Sequence, residues 1–233
     1  MPLRLFAPPT LETLTAKKDL KGLVALMLKT FPGAESQAAL QALQGLGWQP
    51  GMDEAGAAAA LYQRDFERVV AIGAPAVGPL VNLLRSWTLK HNELRPVSGV
   101  DENGELCGVN YELQDTTRSD ARKALVQIGP AAVPALVKLL CDEDAHTLAA
   151  ALEPVMSALI EIGDPRAMDG FLHLLKQFPQ SFEFWNQYRT AMQKFKDRRA
   201  IPYLRRACQD RQLDLMMRGN AMSMLSDLGE KVR

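Results

Sequence analysis

The sequence predicts an all-α protein, a right-handed α-α superhelix of stacked helical hairpins, interrupted by one inserted β-hairpin or loop. Three observations carry this expectation. A short phrase recurs along the chain, the residues on either side of it are apolar at helical spacing, and the composition suits a continuous core in one stacked domain.

The phrase is clearest as "EIGDPRAMDGFLHLL", residues 161–175. It returns as "AIGAPAVGPLVNLL" from Ala71, "QIGPAAVPALVKLL" from Gln127 and "KFKDRRAIPYLRRAC" from Lys194, with a truncated echo, "DLGE", from Asp227. Its apolar anchors Ile72, Ile128, Ile162, Phe195 and Leu228 are 56, 34, 33 and 33 residues apart. Three intervals share one period, and the excess in the first marks an insertion.

Each phrase reads as a tight turn between a helix A and a helix B. Gly73, Gly129 and Gly163 can close helix A with positive φ. Pro75, Pro130 and Pro165 stand where a helix begins and no backbone donor is required. Asp164 and Asp197 can cap free amides at the same point. Helix A carries Ala121-Ala124-Leu125-Ile128, Val155-Ala158-Leu159-Ile162 and Tyr188-Ala191-Met192-Phe195, each a narrow stripe at 3.6 residues per turn. Helix B repeats Val77-Leu80-Val81-Leu84, Val133-Leu136-Val137-Leu140 and Met168-Phe171-Leu172-Leu175. One hairpin cannot bury two such stripes alone, whereas stacked neighbours can.

In chain order, residues 1–50 then form an amino-terminal cap with the first helices, and 51–87 an atypical repeat. Residues 88–116 are the insertion, and 117–145, 146–180 and 181–212 are regular repeats. Residues 213–233 hold a half repeat, one helix A whose stripe is Met217, Ala221, Met224, Leu225 and Leu228. Within the insertion, Asn103-Gly104 signals a two-residue hairpin turn. That register pairs Val100 with Cys107, Pro96 with Tyr111 and Arg95 with Glu112. The arm over 92–115, with Arg95, Asp101, Asn103, Gly104, Glu105 and Tyr111 along it, is acidic: six carboxylates stand against Arg95 alone. The competing reading is a disordered acidic loop, because an isolated hairpin is marginal.

The chain has 233 residues, of which 47% are hydrophobic and 23% charged, enough to bury a core. Lys plus Arg equals Asp plus Glu at 27 each, so no global charge points to nucleic acid or membrane. Cys107, Cys141 and Cys208 are odd in number and widely spaced, which argues against a disulfide framework. With no membrane-length apolar run and no secretion signal in the opening residues, a cytoplasmic location is expected.

At "IGDPRAMDGFL" and "KDRRAIPYL" the chain resembles HEAT-repeat proteins of the short phycobilisome-lyase-like type, although the Ala74–Val77 and Pro130–Val133 turns lack the Arg of that family's phrase. "TLETLTAKKDLKGLVALM" looks like the amino-terminal cap of such proteins, and "LGWQPGMDEAGAAAALYQRDFERVVAIGAPAVGPL" like their atypical helical link. The resemblance implies an α-solenoid and leaves the function open, since similar proteins include interaction modules, bilin lyase subunits, deoxyhypusine hydroxylases and alkylpurine DNA glycosylases.

The residues weigh these classes differently. A di-iron hydroxylase needs several His-Glu pairs, and His91, His146 and His173 are followed by Asn, Thr and Leu. No cofactor motif or metal spacing occurs, so no cofactor is expected. Eight basic residues between Arg189 and Arg211 follow Phe178, Phe182, Phe184, Trp185 and Tyr188, a juxtaposition that could bind single strands. Against it, Tyr188 lies on a core stripe and the chain has no overall basic excess.

The expected function is a non-catalytic scaffold that binds another protein. The alternatives are an accessory, lyase-like subunit acting on a tetrapyrrole chromophore protein, and a DNA-binding relative. In the family resembled, B helices line the concave surface. Five residues beyond the first apolar residue of each B helix stand Asn82, Lys138, His173 and Arg206, and eight beyond stand Arg85, Cys141, Lys176 and Gln209. Four of the eight are basic and none is acidic, which predicts a positive groove for an acidic segment of a partner. Met216 and Met222 lie off the core stripe of the last helix and predict a homodimer contact there.

Overall fold

The computed structural model describes residues 9–92, 116–142, 149–177 and 184–230. The described residues form thirteen α-helices with short 3-10 turns and no strand, an all-α arrangement among them. Among them no single helix is long and apolar enough to cross a membrane. The helices gather into two compact units, Met1–Ser86 and Trp87–Arg233.

The first unit holds α1 (Leu11–Ala16), α2 (Leu20–Thr30), α3 (Ala34–Gly45), α4 (Glu54–Tyr62), α5 (Phe66–Ile72) and the beginning of α6 (Val77–Asn92). Thr10, Asp19, Asp53 and Asp65 each accept a backbone N–H three residues on, which satisfies an amide that the helix itself leaves free. α4 is buried from Ala55 to Leu61, on every side, against α2 and α5. Its run of alanines allows that, since small side chains let neighbouring helices approach all round. Tyr62 donates its hydroxyl to the Gly33 carbonyl (3.1 Å) and meets Phe31 edge-on, tying α4 to the α2–α3 turn.

The second unit continues with α7 (Thr116–Ile128), α8 (Val133–Leu140), α9 (Ala149–Ile162), α10 (Met168–Gln177), α11 (Trp185–Phe195), α12 (Ile201–Gln209) and α13 (Leu215–Asp227). The A helices pack in sequence, α9 on α7, α11 on α9 and α13 on α11. On the other side α10 packs on α8, and α8–α9, α10–α11 and α12–α13 contacts join the layers. A Cβ on Gly170 would meet the Leu140 side chain at 2.8 Å, so α8 and α10 approach more closely there than a larger residue would permit.

The junctions behave as their residues require. Gly73, Gly129 and Gly163 have φ of 73°, 73° and 77°. The fourth junction lacks glycine, and Lys196 takes the left-handed conformation in its place (φ 50°, ψ 38°). Each is followed by one 3-10 turn (74–76, 129–131, 165–167 and 198–200) before the B helix proper.

The A-helix stripes are buried as expected, with the anchors Ile128, Ile162 and Phe195 half-buried at the helix ends. The B-helix stripes differ from expectation. Val81, Val137 and Leu172 are half-buried, whereas Leu139, Leu174 and Ala207, six residues beyond each starting residue, lie in the core. Leu83, at the matching position of α6, is only half-buried. At 100° per residue, the buried arc of α8, α10 and α12 is therefore centred between positions three and six, turned away from position four.

α6 runs on to Asn92, past the expected start of the insertion at 88, because no Gly or Pro interrupts Arg85–Asn92. The hairpin expected over 92–115, with Arg95, Asp101, Asn103, Gly104, Glu105 and Tyr111, lies outside the described residues.

Leu136 and Leu159 are fully buried. Truncating either to Ala should lower stability by about 2–5 kcal/mol in urea denaturation. Gly129→Val should also destabilise, because a branched residue resists φ of 73°. Lys196→Gly should act oppositely and raise stability by about 1 kcal/mol, by releasing a left-handed non-glycine residue.

Candidate functional site

The B helices present their unburied side as a row of long polar side chains. Lys138 on α8, Lys176 on α10, and Arg206 and Gln209 on α12 are exposed, while His173 and Cys141 are half-buried. Asn82 and Arg85, exposed and half-buried, lie on α6 in the first unit. Burial on α8, α10 and α12 centres near positions three to six, so positions five and eight fall roughly opposite or flanking it.

Two of these residues share a cleft. Lys176 and Arg206 line a depression of about 240 Å³ between the carboxy-terminal ends of α10 and α12, with Leu175 and Ala207 at its base and Gln177, Tyr203 and Asp210 on its walls. Tyr203, Gln177 and Asp210 were missed by counting positions five and eight. They stand at positions two and nine, and only a count around the whole polar arc would have found them. Asp210 also corrects the expectation of a wholly basic groove. Its carboxylate accepts the Gln212 N–H (2.9 Å), so it is partly engaged in closing the turn after α12.

Several cations elsewhere in the second unit are used differently. Arg166 folds onto Asp164 in bidentate fashion and reaches the Pro130 carbonyl of the preceding turn (3.2 Å). Arg199 repeats this on Asp197 and bridges to Asp169 at the start of α10 (2.8 Å). Arg198 and Arg205 both bind the Glu230 carboxylate, Arg122 binds Glu161, and Lys194 donates to the Ile160 and Glu161 carbonyls at the end of α9. Lys138, Lys176 and Arg206 have no ion-pair or hydrogen-bond partner among the described residues. The turn arginines serve the fold, and Lys138, Lys176 and Arg206 remain exposed.

The A-helix side also carries two adjoining hollows, of about 430 and 400 Å³, that share Arg122 and Ser157. Their charges are mixed: Glu161 opposes Arg122, and Glu153 lies near Arg118, whose guanidinium pKa burial lowers. Pro154 interrupts the hydrogen-bond ladder of α9 at the wall of the second hollow.

Of the aromatic residues beside the basic run, the three described form no exposed stacking platform. Phe184, Trp185 and Tyr188 are buried, with Trp185 and Tyr188 packed edge to face at 5.9 Å. Burial pushes the Tyr188 phenol far above its ordinary pKa. Phe178 and Phe182 lie outside the described residues. Cys141 and Cys208 are half-buried, and burial raises both thiols, with Asp169 adding to the effect at Cys141, so neither is primed as a thiolate. Cys107 lies outside the described residues, and among those described no cluster of three metal-ligating side chains occurs. Met216 and Met222 are exposed on α13.

With this geometry in hand, comparison with family models, curated proteins and solved structures gives no match.

The Asp-x-Arg turns carry a pH signature. Hydrogen bonds from Arg166 and Arg199 hold Asp164 and Asp197 below the usual carboxylate range. A folded-state pKa below the unfolded value of about 3.9 gives a contribution that is complete above that value and lost as pH falls through the folded pKa. Acid denaturation of the double variant Asp164→Asn/Asp197→Asn should therefore show a shallower loss of stability below about pH 4 than wild type.

Proposed function

We propose that the chain is a non-catalytic α-solenoid of the HEAT-repeat type whose B-helix face binds a carboxylate-rich segment of another protein. Support for the solenoid comes from the 33- to 34-residue period and from the ordered packing of α7, α9, α11 and α13 beside α8 and α10. The observation that carries the binding reading is the contrast among cations. The turn arginines are consumed within the chain, whereas Lys138, Lys176 and Arg206 stand exposed on successive B helices. Long cationic side chains held on rigid helices and left unpaired are a ready counterpart for carboxylates.

This mode of binding implies a spacing for the ligand. Packed helices lie about 8–10 Å apart, and an extended chain advances about 3.3 Å per residue. Carboxylates about three residues apart would meet α8 and α10, which pack directly, and a wider interval would reach α12 across the cleft. Tyr203 adds an amphipathic wall to the cleft between Lys176 and Arg206, suited to the stem of a bound side chain. Each exposed charge pair contributes only about 0.2–1 kcal/mol, so affinity should depend on several acting together and should fall with salt.

The test uses a fluorescent extended peptide with Glu at every third position, followed by anisotropy. Binding should weaken as salt rises, and the triple variant Lys138→Glu/Lys176→Glu/Arg206→Glu should lose about tenfold or more in affinity at low salt while its helical circular dichroism is unchanged. Equal binding by the triple variant would place the contact elsewhere and end this reading.

A further inference from the structure

The last helix has two faces, and only one is buried among the described residues of its unit. Met217, Ala221, Met224 and Leu225 of α13 are buried, where the helix packs on α11 and α12. On the other side Leu215, Met216 and Met222 are 80%, 55% and 42% exposed, three of the five large hydrophobic residues exposed among those described. Leu215, Gly219, Met222 and Ser226 follow one another at intervals of four, three and four, which places them in one line along the helix.

Gly219 is the informative member of that line. It lies inside a helix, where glycine is disfavoured, and its φ is not positive. A Cβ added to it would meet nothing within 4 Å, so packing inside the chain does not require its absence. Removing a side chain at an outward position does, however, let the backbone of another helix come close.

The line is self-complementary. Set antiparallel about a two-fold axis, α13 of one copy meets α13 of another with Leu215 opposite Ser226 and Gly219 opposite Met222. A single register thus satisfies both large-to-small pairs. The same register puts Arg218 opposite Ser223, so no cation faces its own copy. It also sets Asp214 of one copy level with Asp227 of the other, but both carboxylates lie about 100° or more around the helix from the line and are engaged within the chain, Asp214 with the Met217 N–H and Asp227 with Gln193 (3.1 Å). An isologous contact requires a patch to fit itself without like-charge conflict, and this line does so. We infer that two copies of the chain associate through the outward face of α13, antiparallel, with Met222 of each seated over Gly219 of the other.

Sedimentation velocity across the micromolar range, with helical circular dichroism as the check on folding, tests the inference. Wild type should shift from monomer to dimer with concentration. Met222→Glu and Gly219→Leu should each remain monomeric and folded, whereas Met52→Glu, at an exposed methionine of the first unit, should dimerise as wild type does. For the register, Leu215→Cys and Ser226→Cys chains are mixed and mildly oxidised, and mass spectrometry should find the 215–226 link between copies. A wild type that stays monomeric, a dimer indifferent to both α13 substitutions, or 215–215 links in place of 215–226 would each overturn the proposal. None of these outcomes depends on whether the B-helix face binds an acidic segment.

Discussion

A helix that must reverse direction within three or four residues needs one backbone unit outside the right-handed region, and the repeats of this chain are built around that need. At Gly73, Gly129 and Gly163 the residue is glycine, and at Lys196 a lysine bears the strain. Each of these residues hands over to a 3-10 turn that aims the next helix back along the last. The buried stripes on both helices face their neighbours only because this reversal is the same each time. Stacking of the A helices, and the exposed row on the B helices, are downstream of it.

Charge is divided as sharply as hydrophobicity. At the turns, guanidinium groups are spent on the chain's own carboxylates and carbonyls, and the most fully engaged, Arg199, touches two aspartates. Such exposed pairs contribute little stability individually. Their geometric effect is greater, because a planar bidentate group fixes the angle between one turn and the next. Lys138, Lys176 and Arg206 on the B helices have no such duty among the described residues, and a cleft between α10 and α12 brings two of them together. A formally neutral chain therefore presents faces of different character.

Much of the helical order was legible in the sequence because the turn phrase repeats, and repetition tests each reading against the next. The last helix and its Met217–Leu228 stripe could be read from the same clock. What escaped was the finer angle of the B helices. Val137 and Leu139 are equally apolar in sequence, and only the placing of the neighbouring helices decides which is covered. Lys138, Lys176 and Arg206 were legible as a surface because they stand at position five or eight of their helices, counted from the repeating phrase. The cleft was not, because Tyr203 and Asp210 stand outside the counted positions and depend on how far α10 and α12 separate. The reach of Lys194 to the end of α9 was equally hidden, since lysine on an exposed helix ordinarily reads as a solvated charge.

The turn clasps have a direction. Arg166 grips the carbonyl of Pro130, thirty-six residues earlier, and Arg199 grips Asp169, thirty residues earlier. In each case the acceptor precedes the arginine in the chain, and the aspartate that splints the arginine sits two residues before it. A ribosome releasing this polypeptide delivers the docking point first, then the splint, then the hand that closes on it. Neither of these two clasps has to wait for residues still to be translated, whereas the links of Arg122 to Glu161 and of Arg198 and Arg205 to Glu230 close only on residues made later.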